Sequence, residues 1–180
     1  MKKDLRIAVS GKSGCGNTTV SKMLADALDL TFINFTFRCL AKERSVDLNT
    51  IIELAEKDDS IDREVDPRQV QLALDSGGCV LASRLAIWML KAADLKIYLN
   101  AAAQTRAGRI FNREGGSIEI VAAFTADRDK KDRDRYLRIY DINFDDYSFA
   151  DLIIETDNLT PQEIVDIILK RIKAMNDKGN

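Results

Sequence analysis

The stretch Gly11–Thr19, GKSGCGNTT, carries the most specific chemical signal in the chain. Gly11, Gly16 and Thr18 fill three of the fixed positions in the phosphate-loop pattern G-x-x-x-x-G-K-[ST]. Glycine at 11, 14 and 16 lets backbone N–H groups crowd around an anion without Cβ clashes, at the positive end of the helix that follows. Ser13, Cys15 and Thr19 complete the loop, and Thr18 stands where a hydroxyl would ligate Mg²⁺. The lysine position holds Asn17, which keeps an N–H donor and loses the charge. Lys12, second in the loop, is either a solvated lysine or a substitute for the missing one. The competing reading is a tight strand-to-helix turn in which Thr18 or Thr19 merely caps.

Arginines supply the next signal. Arg106, Arg109 and Arg113 recur at spacings of three and four, which on a helix puts them on one face opposite Ala103, Ala107 and Ile110. That face is either a solvated basic stripe or part of a lid hinged at Gly115-Gly116. Further on, DRDKKDRDR (127–135) reads first as a solvated helix. One stripe through it, however, runs Val121, Phe124, Arg128, Asp132, Arg135, Ile139, with apolar ends expected against the protein body and a charged middle. Charges on a core-facing stripe need partners, because unpaired burial costs several kcal/mol. An anionic ligand in a cleft, or an ion-pair ladder along the helix, would supply them. Arg38 follows the apolar stretch TFINFTF, and Arg84 lies just past CVLA, where ligands bind in open α/β sheets. Between them SIDREVDPRQ, including Asp62, is either a surface helix or a reader of a nucleobase edge.

These groups need a scaffold, and the pattern of the chain provides one. Short apolar runs at 5–10, 79–82, 95–99 and 152–154, with a candidate fifth at 32–34, read as buried parallel strands. Amphipathic segments of helical length lie between them, at 18–28, 48–57, 66–75, 101–113, 117–140 and 161–174. Thr160, Pro161 and Glu163 form a helix start with a capping box. Alternating strands and helices predict an α/β fold with a mainly parallel sheet. With 180 residues and neither linker nor repeat, one domain spanning 1–180 is expected.

Composition excludes several classes. A net charge of −2 argues against bulk affinity for nucleic acid or anionic membrane. No apolar run approaches the roughly 18 residues of a membrane span, and the start MKKDLRIAVSG reads as a first strand rather than a signal peptide. Histidine is absent and the three cysteines, Cys15, Cys39 and Cys79, form no C-x-x-C, which removes a histidine base and the usual zinc sites. Free thiols in a cytoplasmic protein are expected.

Taken together, AVSGKSGCGNTTVSKMLA, FRCLAKE, DDSIDREVDPRQ, VLASRLAIWMLKAADLKIYL and DRDKKDRDRYLRIY resemble the cytidylate kinase family, in its shorter, archaeal-type branch. The resemblance runs from Leu5 to about Lys173. It implies a P-loop nucleoside monophosphate kinase fold with a mainly five-stranded parallel sheet. Acceptor-binding helices would lie at about 35–76 and a helical lid at about 106–135. It also implies Mg²⁺-dependent phosphoryl transfer from ATP to CMP or dCMP, with no obligatory protein partner. Residues 11–19 would hold the ATP phosphates, and Arg38 the acceptor phosphate. Arg84 would contact acceptor phosphate or base, and Arg128, Asp132 and Arg135 its sugar and phosphate. Arg109 and Arg113 would act from the lid. Two positions depart from the family pattern. Asn17 replaces the usual lysine, and Ala82-Ser83 replaces an acidic residue and glycine, which bears on base recognition. The rival expectations are a related kinase for AMP, UMP or shikimate and a nucleotide-binding regulator without turnover. A GTPase switch would require an N-K-x-D motif, which is missing.

Overall fold

From Ile7 onward, the strand Arg6–Ser10 (β1) is buried on both faces, so helices must cover it from both sides. The computed structural model describes residues 4–178. The other strands are Thr31–Ile33 (β2), Cys79–Ala82 (β3), Leu95–Asn100 (β4) and Leu152–Glu155 (β5). They form one five-stranded sheet in the order β2-β3-β1-β4-β5. Every pairing is parallel, with Ile7 level with Val80 on one side and Leu95 on the other.

Alternation along β1 splits the core. Ile7 and Val9 face helices Asn17–Leu28 (α1) and Pro161–Lys178 (α8), through Val20, Leu24, Ile164 and Ile168. Ala8 faces the opposite side, where Trp88, Tyr98, Tyr136 and Phe144 pack. Tyr98 and Tyr147 stack with ring centroids 3.8 Å apart, and Trp88 meets Phe144 at 5.5 Å. A third cluster, Phe35, Leu40, Ile51, Ile61 and Val65, joins helices Phe37–Glu43 (α2), Leu48–Lys57 (α3) and Ser60–Asp75 (α4) into a separate arm. The remaining helices are Ala86–Met89 (α5), Ala103–Glu114 (α6) and Ile118–Tyr140 (α7). No helix among the described residues is long and apolar enough to cross a membrane. The three cysteines are free thiols.

The expected α/β fold with a parallel sheet is the one observed. The differences are local. α4 begins at Ser60 rather than Asp66 and carries Pro67 inside it. Asp58 accepts from the Ser60 amide (2.8 Å) at the true start, and burial of Ile61 and Val65 sustains the helix through the proline. The helices α2 and α5 were not expected, because seven and four residues are too few to show a period. Around Thr160 the capping box forms as its spacing predicts, with Thr160 N donating to Glu163 (2.8 Å) and Glu163 N to the Thr160 hydroxyl (3.3 Å).

Candidate functional site

The carboxyl ends of β1 and β3 open into one large cleft, the place where a parallel sheet of this topology presents its ligands. The loop after β1 forms its floor. Gly14 and Gly16 take φ of 85° and 96°, the left-handed region that glycine alone enters without strain. At Gly14 a Cβ would also sit 2.6 Å from the Arg106 carbonyl oxygen. α1 starts at Asn17 with no side-chain cap, so its first-turn amides remain available to an anion.

The Asn17 side chain does not serve that anion. Its Nδ2 donates to Val9 O (3.1 Å) and Ser83 O (3.4 Å), and its Oδ1 accepts from the Ser21 hydroxyl (2.9 Å). It ties the ends of β1 and β3 together. Lys12 is engaged too, donating to Asp145 at 2.7 Å.

The expected basic face on α6 divides three ways. Arg106 is 4% exposed rather than solvated or lid-borne. It pairs with Asp129 (2.6 Å) and donates to Ser13 O (3.1 Å). Arg109 donates to Gly14 O and Cys15 O, both at 3.4 Å, and to the Thr156 hydroxyl (3.0 Å). Arg106 therefore braces the phosphate loop from behind, while Arg109 holds loop carbonyls and also lines the cleft. Arg113 alone is exposed, and it pairs with Glu114 (2.6 Å).

α7 also differs from the expected stripe. Phe124 is 60% exposed, and the face turned inward runs through Thr125, Asp132, Tyr136 and Ile139. The apolar end stays at the cleft instead of the core, and Phe124 is one of the lining residues. Asp132 is buried between two guanidinium groups, Arg84 Nε (3.0 Å) and Arg135 Nη2 (2.9 Å). Arg84 reaches further, donating from Nη2 to the Ser13 hydroxyl of the loop (2.6 Å). Burial works against the Arg84 charge, but Asp132, Tyr136 and Asp129 together more than offset it and hold the guanidinium firmly protonated. Arg128 lines the cleft with no carboxylate pair among the described residues. The nearby Arg84 charge, then burial, pushes it down to about 10, so it stays a cation at neutral pH. Arg38 lines the cleft as an exposed cation, also without an ion pair among the described residues.

Asp62 does not line the cleft. It is 1% exposed and accepts from Arg135 Nε (3.1 Å) from behind. Asp66 and Gln69, one and two turns on, do line it, together with Phe37 and Tyr136. Asp66 belongs to the charged segment SIDREVDPRQ that reads as either a surface helix or a base reader, whereas the uncharged Gln69 carries no signal in the sequence. The sequence pattern starts this helix only at Asp66, which hides the register that runs from Asp62 to Gln69.

Burial pushes Asp62 up to about 6 and Asp66 up to about 7, with the charge of Asp62 adding to the latter. Unfolded, both titrate near 4. Between about pH 4 and 7 the folded state thus holds more protons, and stability must fall as pH rises through that window. Carboxylates held low, such as Asp145, work the other way only up to about pH 5, where the unfolded chain has lost those protons, so the decline is read above that pH. Melting temperatures recorded from pH 5 to 8 are expected to decline, and Asp66→Asn is expected to flatten the slope and raise the value at pH 8.

Against known proteins, residues 6–158 match the model of the cytidylate kinase-like family. The chain is 47% identical over 179 residues to "Cytidylate kinase 2" of Borreliella afzelii, covering 97% of this chain and 100% of that one. It is 41% identical over 183 residues to "Cytidylate kinase" of Pyrococcus horikoshii, covering 100% and 95%. Its fold resembles the crystal structure of shikimate kinase from Bacteroides thetaiotaomicron, with a TM-score of 0.61 at 16% identity over 96% of this chain and 98% of that one.

Proposed function

This chain belongs to the cytidylate kinase-like family, and from that premise we propose that it transfers the γ-phosphoryl group of ATP to CMP or dCMP. The observation that carries this reading is the pairing of sites within one cleft. A phosphate loop at an uncapped helix start lines it, and so do Arg38 and Arg128, cations with no ion pair among the described residues.

Residues 11–19 would hold the ATP phosphates through backbone amides, and Arg38, Arg128 and Arg135 the acceptor phosphate. Thr18, exposed on the first turn of α1, is the residue fitted to Mg²⁺ carried in with the nucleotide. No cluster of three or more His, Cys, Asp or Glu fit for a metal occurs among the described residues. Such an ion, held mainly by phosphates and water, would neutralise charge between the β- and γ-phosphates. Phosphoryl transfer through a loose transition state asks for alignment and positive charge rather than a general base. Arg84, lodged between the loop and Asp132, is placed to give that charge where Asn17 cannot.

The arm of α2–α4 (about 35–76) would bind the acceptor. Within 106–135, Arg106 and Arg109 are anchored to the loop. The moving lid would therefore begin near Gly115-Gly116 (φ 76° and 99°) and carry the exposed Ile118, Ile120 and Phe124 across the cleft. The free thiols fit a cytoplasmic enzyme working on small nucleotides without nucleic acid or membrane. An acceptor panel of CMP, dCMP, UMP, AMP and shikimate, with ADP release as the readout, tests the reading. CMP and dCMP are expected to give the highest kcat/KM, and a faster AMP or UMP would overturn it.

A further inference from the structure

Gln69 is 4% exposed and lines the cleft, and its Oε1 has no hydrogen-bond donor among the described residues. A buried acceptor without a donor is costly, so an entering N–H group that reached it would be favoured. The other end of the same amide is held. Nε2 donates to Asp66 Oδ1 (3.3 Å), while Asp66 Oδ2 accepts from the Tyr140 hydroxyl (3.1 Å).

An amide can present either end to a ligand, and its hydrogen-bond network decides which. Turned by 180°, Gln69 would set its oxygen against the carboxylate of Asp66, acceptor against acceptor. Asp66 therefore fixes the orientation in which Oε1 and the second N–H of Nε2 remain for a ligand. Cytosine presents a 4-amino donor beside the N3 acceptor, and uracil presents the O4 acceptor beside an N3–H donor. The held amide complements cytosine. Only the turned amide would complement uracil.

Resting on the reading of this cleft as a pyrimidine monophosphate site, we propose that Gln69 reads the pairing edge of the base and that Asp66, as a positioning residue, makes the reading select cytosine over uracil. Ala82-Ser83, where an acidic residue and glycine were expected, no longer has to supply that selection. Protonation would release the device, because a neutral Asp66 can donate to the turned amide. The groups facing Asp66 are Asp62 on α4, Tyr140 and Arg135 on α7, and Arg84 beyond β3. Burial and Asp62 raise its affinity for a proton, while the arginines and the Tyr140 hydroxyl lower it. The preference for cytosine is therefore expected to weaken on acidification.

The test compares the full-length wild type, Asp66→Asn and Gln69→Leu. It measures kcat/KM and calorimetric Kd for CMP and for UMP between pH 6 and 8.5, with circular dichroism as a check on folding. The wild-type CMP:UMP ratio is expected to fall as pH drops from 8.5 to 6. Asp66→Asn is expected to lower the ratio at pH 8.5 about tenfold, the scale of one hydrogen bond, and to make it independent of pH. Gln69→Leu is expected to weaken CMP about tenfold or more and UMP less. A folded Asp66→Asn protein with the wild-type ratio and pH profile would overturn the inference, as would Gln69→Leu acting equally on both nucleotides. Should Asp66→Asn fail to fold, a wild-type ratio that is flat across this range overturns it. Absence of turnover with every acceptor would sink the kinase reading instead, and equal Kd values for CMP and UMP would then overturn the inference separately.

Discussion

Arg84→Ala is expected to lower kcat by about 10²–10³, the scale for losing one charge aimed at a transition state. The usual phosphate-loop lysine acts as a point charge on the β- and γ-phosphates. Here most nearby candidates spend their donors away from the anion. Asn17 is spent on Val9 O, Ser83 O and Ser21. Lys12 sits on Asp145, while Arg106 and Arg109 hold loop carbonyls. Arg84 alone extends a guanidinium to a loop side chain, at Ser13, while Asp132 keeps it charged. Lys12→Ala should then be near neutral. Single-turnover kinetics with nucleotide binding measured in parallel would check this. A crippled Lys12→Ala beside an active Arg84→Ala would show that the charge comes from Lys12. Arg109→Ala should also be harmful, but through a loosened loop, visible as weaker ATP binding rather than lower kcat alone.

Arg128→Ala and Arg135→Ala should each cut kcat/KM for CMP by about 10²–10³, yet they should part company in stability. Arg128 has no carboxylate pair among the described residues and is crowded by Arg84. Its removal relieves repulsion, and the melting temperature should hold or rise. Arg135 is the donor to Asp62 and a second partner of Asp132, both nearly inaccessible. Its loss strands the buried Asp62 and leaves Asp132 to Arg84 alone, and breaking such a pair costs up to about 3–5 kcal/mol. Protonation of Asp62, already pushed up to about 6, would soften that cost below neutral pH. Thermal melts of both variants at pH 5.5 and 8 would separate the two effects. An Arg128→Ala protein that unfolds early with unchanged kinetics would make this stripe structural.

What the sequence determined by itself was whatever depends on neighbours along the chain. Glycine spacing, a strand before the loop and a helix after it are local, and so is the Thr160–Glu163 capping box. Apolar runs placed the five strands to within one residue at each end, and in the three central ones, β3, β1 and β4, no exposed position blurs the limits. The proline inside α4 and the two shortest helices escaped because tertiary burial, not local preference, holds them.

Which charges meet was decided only by the tertiary structure. Arg84 and Ser13 lie 71 residues apart, and Arg135 and Asp62 lie 73 apart. A stripe of arginines looks the same in sequence whether it faces solvent, a ligand or a loop carbonyl. α6 packs against the phosphate loop and turns Arg106 and Arg109 onto its carbonyls, while Phe124 of α7 stays exposed at the cleft. A charge is worth little in water and much in a cleft. The role of each arginine therefore follows from the surface its helix packs on, which no spacing along the chain records.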